Sequence, residues 1–423
     1  MAKEYRISVH HIGGRGGSRS FPILESFEQD IINVIYDADK ECIEQIREEN
    51  EKLNSELHVL PYCITDICGP ATLNINYDPY TSSLLETNNA LDSFYSFYFN
   101  HDMVNEDVLK TMERRQVDSV TLDYLFGSKE LALEEPDFLS IDIEGAEYNA
   151  LRGAEKTLKS NILSVYTEVT FQPFRKNQKF LGDISDFLSD LGFYFVGFKE
   201  KNNRIMMHQV SPFRYPVGLR GNGFQSVSEV LFLRRIDSVK NMCDNNLDLY
   251  VNLRKLAFIS IAFNQFEYGL ECLSQSSSLE LDITKSCQSE DMPTYLLFLK
   301  EIEEQVNRTI ALFPPTFTDL YTFEQSKLRF VNDQDFNAEI REENSIKNSV
   351  KIFLMKYIPF LLMIIRKRWF IAAKIKRAFL FKNKINVGYY SKVEKILIKY
   401  EFHSLADIIR EKRVLQSRFI VHN

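Results

Sequence analysis

The chain has 423 residues, 44% of them hydrophobic and 26% charged, with a net charge of −8. That length exceeds one ordinary domain, and that balance suits packed cores and excludes a wholly disordered or fibrous chain. The opening MAKEYRISV lacks the pattern of a secretory signal, and no two of the six cysteines have C-x-x-C spacing, so reduced thiols and a cytoplasmic address are expected.

In chain order, Tyr5–His11 reads as a strand that runs into HHIGGRGG. Gly13, Gly14, Gly16 and Gly17 can present bare backbone N–H groups to a ligand. A short helical stretch, Ser26–Asp30, leads to a second strand, Ile32–Tyr36, with Asp37 at its tip. A glycine turn followed by an acid at the next strand end is the arrangement that binds a nucleotide, the acid accepting from both ribose hydroxyls. A helix over Lys40–Lys52 and strands over Leu57–Thr65 and Thr72–Asn76 follow. Next come a strand Phe138–Ile143, one helix Gly145–Lys159, a strand Ile162–Val169, a helix Gly182–Leu191, and strands Phe193–Phe198 and Val227–Leu233. Ala146, Ala150, Leu151, Ala154 and Leu158 recur at helical spacing, as on a helix resting against a sheet. The alternation implies an α/β fold: a Rossmann-like, doubly wound domain with a mostly parallel sheet, its ligand beyond the carboxyl ends of the strands. Asp142 ends a buried strand, where a carboxylate usually serves a ligand or acts as a base. Glu144 and Glu147 sit at a helix N-terminus, where the dipole alone favours acids.

Beyond Arg235 strand signals stop, and helices are expected over Leu247–Phe263, Gln265–Gln275 and Met292–Leu312. The expected domains are residues 1–236, a helical domain 237–315, a linker 316–344 and a basic helical region 345–423, the C-terminal region being all-α. From Asn344 to Lys392 there are twelve Lys and Arg and no Asp or Glu. The longest uncharged run there, Tyr357–Ile365, is nine residues, short of the ~20 that span a bilayer. Two readings stand: an interfacial helix on an anionic membrane surface, or a helical core with a solvated basic rim. No nucleic-acid motif accompanies the charge.

The segments VTLDYLF, FLSIDIEGAEYNALRGAEKTL and SVYTEV together resemble the core of the FkbM-type S-adenosylmethionine-dependent methyltransferases. Asp142, Glu144, Gly145, Ala146, Glu147, Leu151, Gly153 and Ala154 match the family's central motif, with Ile143 for its usual valine. VLPYCITDICGPATLNI resembles the strand and turn near the adenine, Ser82 and Ser83 the serine cluster beside the site, and GFQSVSEVLFLRR the closing strand. The resemblance covers residues 5–236. It implies S-adenosylmethionine as cofactor, held by Gly13, Gly14, Arg15, Gly17, Asp37, Asp66 and Asp142, with Asp66 towards the adenine amino group. It implies methyl transfer to oxygen, the acceptor being a hydroxyl of a sugar in a surface glycan or glycolipid precursor; the basic C-terminal stretch adds the expectation of a substrate at the inner face of a membrane. Such an acceptor needs a base, and the candidates are Asp142, Glu144, Glu168 and His208. The family's first motif, D-x-G-A-N-x-G, stands here as His11 to Gly17, with His11 for the Asp and Arg15 for the Asn. Arg15 has three readings: a partner for the cofactor carboxylate, a contact for an anionic substrate, or a solvated side chain. His11 also leaves open a methyltransferase-like scaffold without catalysis. A nicotinamide enzyme is disfavoured because Gly14 and Gly16 are followed by Arg19 where G-x-G-x-x-G needs its last glycine. The sequence shows no compact His, Cys and carboxylate cluster for a metal.

Overall fold

The computed structural model describes residues 5–13, 25–39, 43–50, 56–91, 94–98, 101–104, 108–128, 132–199, 205–208, 224–279, 292–307, 387–407 and 410. Gly14, Arg15, Gly16, Gly17, the glycine-containing loop 218–223 and most of the basic stretch 344–392 lie outside them. Two compact units divide the chain, Met1–Lys300 and Glu301–Asn423.

The first unit is built on a seven-stranded sheet. Its strands are β1 (Ile7–Ile12), β2 (Ile31–Tyr36), β3 (Glu56–Leu60), β4 (Phe138–Ile141), β5 (Ser164–Thr170), β6 (Phe193–Phe198) and β7 (Val227–Arg234), in the order β6-β7-β5-β4-β1-β2-β3. β3, β2, β1, β4 and β5 run parallel, and β7 inserts antiparallel between β5 and β6. β1 (ISVHHI), β2 (IINVIY) and β5 (SVYTEVT) are buried at every residue. Interior parallel strands covered on both faces require that. From β1 the chain winds outward to β2 and β3, then returns to β4 on the other side of β1. The switch point therefore lies between β1 and β4, at their carboxyl ends.

The helices over this sheet are α1 (Ile43–Asn50), α2 (Leu122–Gly127), α3 (Glu147–Arg152), α4 (Glu155–Ser160) and α5 (Leu181–Asp190). The single helix expected over Gly145–Lys159 is two, broken at Gly153–Ala154. The reason is contact: a Cβ on Gly153 would lie 1.9 Å from the Thr65 carbonyl oxygen, so the chain must be bare there. Ala150, Leu151, Ala154 and Leu158 are all fully buried, as their spacing predicts. Arg234, at the end of β7, donates to the Leu158 and Lys159 carbonyls and lies over the Phe193 ring. Its guanidinium thus satisfies carbonyls left over at the C-terminus of α4.

Two smaller sheets complete the unit. Cys63–Ile64, Thr111–Val120 and Gly69–Asn76 form one, with Thr111–Val120 in the middle. Phe94–Tyr98, His101–Val104, Ile205–His208 and Phe224–Gln225 form the other. TMERRQVDSV was not recognisable as a strand because polar residues fall on both of its faces; its ladder with Gly69–Asn76 supplies the pairing.

The texture change at residue 236 falls inside the first unit. Helices α6 (Ile236–Met242), α7 (Asn246–Ala262) and α8 (Phe266–Ser277) follow β7 directly. Lys255 of α7 bonds Asp137, just before β4, at 2.9 Å, and Phe263 stacks on Phe138 at 5.5 Å. A helix α9 (Thr294–Asn307) comes next, and Tyr295 donates its backbone N–H to Asp30 at 2.8 Å. In the second unit, helix α10 (Val387–Lys399) buries Val393 and Leu397. Cys63, Cys68, Cys243 and Cys272 are free thiols. Among the described residues no helix is long and apolar enough to cross a membrane.

Candidate active site

A cleft of about 550 Å³ opens at the carboxyl ends of β1, β2, β4 and β5. Its volume lies in the range of small-molecule and cofactor sites. Gly13, Asp37, Asp142, Glu144, Glu168 and Arg175 are among the residues that line it.

Gly13 follows β1 with φ +93°, and its N–H donates to the Tyr36 carbonyl at 3.1 Å. A Cβ there would lie 1.8 Å from the Asp142 carbonyl oxygen, while the Asp142 N–H donates to Ile12 at 2.9 Å. The tips of β1 and β4 therefore touch, and only glycine fits between them. Asp37 is set by its N–H to the Leu60 carbonyl at 3.2 Å and by the Asp39 N–H, which donates to its Oδ1 at 2.7 Å. This turn fixes a carboxylate at the tip of β2, where the nucleotide-binding pattern needs one.

The turn after β4 is held from below by Glu147. Its Oε1 accepts from the N–H groups of Ile143 at 3.1 Å and Gly145 at 2.9 Å, spanning Glu144, whose φ of +57° is unusual for a residue with a side chain. Glu147 is only 3% exposed, and burial pushes its carboxyl up to about 7 against the pull of those N–H donors, with the Asp142 charge adding to the rise. The helix dipole alone does not account for this residue, because it is a buried clasp. Arg175, 2% exposed, donates through Nη2 to Glu144 at 3.4 Å and to the Thr81 carbonyl. Its backbone N–H donates to Gln178 Oε1 at 3.1 Å, while its Nη1 is buried with no hydrogen-bond partner. Burial lowers its pKa, opposed chiefly by Glu144.

Glu168 comes from the neighbouring strand. The register Thr167↔Ile141 places Glu168 level with Asp142. One carboxylate oxygen from each of Asp142, Glu147 and Glu168 can be chosen so that all three lie within 4.8 Å of one another. Two unit charges at such a separation repel by about 3–4 kcal/mol at an effective dielectric near 20. Thr170, two residues past Glu168 on the same strand face, also lines the cleft, and its buried Oγ1 has no partner.

Of the residues expected from sequence, Gly13, Asp37, Asp142, Glu144 and Glu168 thus converge on one cleft. Ser82 and Ser83 line it too, though each hydroxyl accepts a backbone N–H, from Asn76 at 3.2 Å and Leu85 at 3.0 Å. Asp66 is exposed and stands outside the lining, its carboxylate accepting from the Thr65 hydroxyl at 3.0 Å. His208 ends a strand of the four-stranded sheet, whereas Asp37 and Asp142 follow strands of the seven-stranded one. His11 is core: burial holds its imidazole down to about 4, against the opposing effect of Asn33, while its neighbour Ile12 lines the cleft. Sequence reasoning did not single out Thr170, Arg175 or Gln178. The available signal was their position, at or just past the carboxyl end of a buried parallel strand.

Residues 12–195 match the family model described as the methyltransferase FkbM domain. Among solved structures, the methyltransferase FkbM from Methylobacillus flagellatus KT is 11% identical, with a TM-score of 0.28. That similarity covers 54% of this chain and 44% of that one, so the chain spans less than half the length of this relative. No curated protein matches the chain. Residues 12–195, fewer than half of the 423, are therefore similar to the FkbM methyltransferase domain.

Proposed function

We propose that the protein is an S-adenosylmethionine-dependent O-methyltransferase acting on a hydroxyl of a sugar in a surface glycan or glycolipid precursor. The observation that carries this reading is the convergence of Gly13, Asp37 and Asp142 on one cleft at the switch point. The residues fit the cofactor: Gly13 leaves bare backbone at the tip of β1, and the Asp37 carboxylate is oriented at the tip of β2 to accept from ribose hydroxyls. When bound, the cofactor supplies an electrophilic methyl group.

The chain's own residues then have three tasks. Gly13 and Asp37 position the nucleoside end, and orientation of this kind is a large part of catalysis in a two-substrate reaction. Glu168, buried and level with Asp142, receives the proton of the acceptor hydroxyl. The Glu144–Arg175 pair holds the turn that carries Asp142, so that its carboxylate keeps its place beside Glu168. Basic residues within 344–392 favour acceptors at an anionic membrane surface, each contributing roughly 1 kcal/mol near such a surface. Salt-sensitive binding to anionic liposomes, lost on deleting residues 344–423, is the expected sign of that role.

A scaffold without catalysis is the second reading, and His11 favours it, since a buried neutral imidazole supplies no anion for a methionine ammonium group. The deciding experiment is transfer of tritiated methyl from S-adenosylmethionine to lipid-linked oligosaccharide acceptors. The enzyme reading expects incorporation, with kcat falling roughly 10²–10⁴-fold in Glu168→Gln. Cofactor left unconsumed with every hydroxylated acceptor supports the scaffold.

A further inference from the structure

We propose that Asp142, Glu147 and Glu168, together with the Thr170 hydroxyl, form a binding site for one hard divalent cation of the Mg²⁺ or Mn²⁺ class. The three carboxylates come from different elements: the end of β4, the first turn of α3 and the interior of β5. Each offers an oxygen within 4.8 Å of the other two, a spread that ligands about 2.0–2.6 Å from one central ion can span. The set is all oxygen, with no thiol or imidazole, and such donors select Mg²⁺, Mn²⁺ or Ca²⁺ over Zn²⁺ or Cu²⁺.

A further observation points to a ligand at this place. Thr170 is 4% exposed, sits on the Glu168 face of β5, lines the cleft, and has a buried Oγ1 with no protein partner. Buried hydroxyls are normally satisfied, and an unpartnered oxygen donor in the cleft that holds these carboxylates is of the kind a hard cation takes up. Glu147 can serve through its second oxygen, because Oε1 already accepts two backbone N–H groups. The site stands whether or not the methyl-transfer reading holds; under that reading the ion would lie beside the oxygen that loses its proton.

The test uses the full chain, stripped with a chelator and titrated with Mn²⁺ alone, with free Mn²⁺ read by electron paramagnetic resonance. The expected result is one saturable site per chain, weakened at least about tenfold in Glu168→Gln and several-fold in the near-isosteric Thr170→Val. Asp190→Asn, an exposed charge-matched control, stays within about twofold of wild type. Should Glu168→Gln fail to fold, Asp142→Asn, at an exposed position, takes its place with the same loss expected. Loss in Glu168→Gln with Thr170→Val unchanged keeps the carboxylate site and removes the hydroxyl from it. No saturable site in the wild type, or an equal site in both variants, overturns the proposal.

Discussion

The two ends of the main sheet both carry hollows lined by charged residues, of about 550 Å³ at the carboxyl end and 410 Å³ at the amino end. They differ in how their buried polar groups are answered. At the amino end, Lys255 bonds both oxygens of Asp137, which also accepts from the Ser8 N–H at 2.8 Å. That pair closes on itself and fastens α7 to the sheet. At the carboxyl end, three carboxylates crowd together, while Arg175 Nη1 and Thr170 Oγ1 are buried without partners. A buried charge is therefore poor evidence of a site; a buried polar group left unanswered in a cleft is better evidence.

The contrast predicts that breaking an answered pair at the amino end costs stability, while removing an unanswered group at the carboxyl end does not. The largest expected effect is Lys255→Ala, which leaves Asp137 buried and uncompensated and should cost about 3–5 kcal/mol in denaturant unfolding. A loss below 1 kcal/mol would break the comparison. Next is the pH response of His11. Its folded pKa of about 4 lies below the unfolded value of 6.5, so only the unfolded chain takes up the proton as pH falls through that window. Its share of stability is complete above pH 6.5 and is lost on acidification towards 4. Other groups act oppositely (the Asp30 carboxyl is raised to about 6), so the difference between wild type and His11→Leu is the useful quantity. That difference should move in favour of the variant by about 2 kcal/mol between pH 7 and pH 5. A pH-independent difference would mean that His11 titrates as though solvated. The smallest effect is Thr170→Val, which removes an unpartnered buried hydroxyl and should stabilise the metal-free chain by about 1 kcal/mol. Destabilisation of that size would show that the hydroxyl is satisfied within the protein.

Much of the side of the cleft lined by Gly13 and Asp37 was legible because it depends on local sequence. A glycine after a buried strand and an acid at the tip of the next are set by strand ends alone, so Gly13, Asp37 and Asp142 could be placed from the pattern. The opposite side was partly illegible because it is made by tertiary register. Glu168 meets Asp142 only through the β4–β5 ladder, and Arg175 reaches Glu144 and Thr81 across long stretches of chain. The break at Gly153 was hidden for the same reason, since its cause is the carbonyl of Thr65. Asp66 is exposed, and an acid after a strand reads alike in sequence whether it turns into a cleft or into solvent. Thr111–Val120 escaped because an edge-to-edge ladder, rather than an apolar face, holds it.

The central claim is that the cleft between Gly13, Asp37 and Asp142 is a cofactor site. Its most direct test is calorimetric titration of the purified chain with S-adenosylhomocysteine, repeated on Asp37→Ala. Binding in the micromolar range, about −8 kcal/mol, that collapses in the variant is the predicted result. No heat of binding from the folded wild type, or equal affinity in Asp37→Ala, would contradict it.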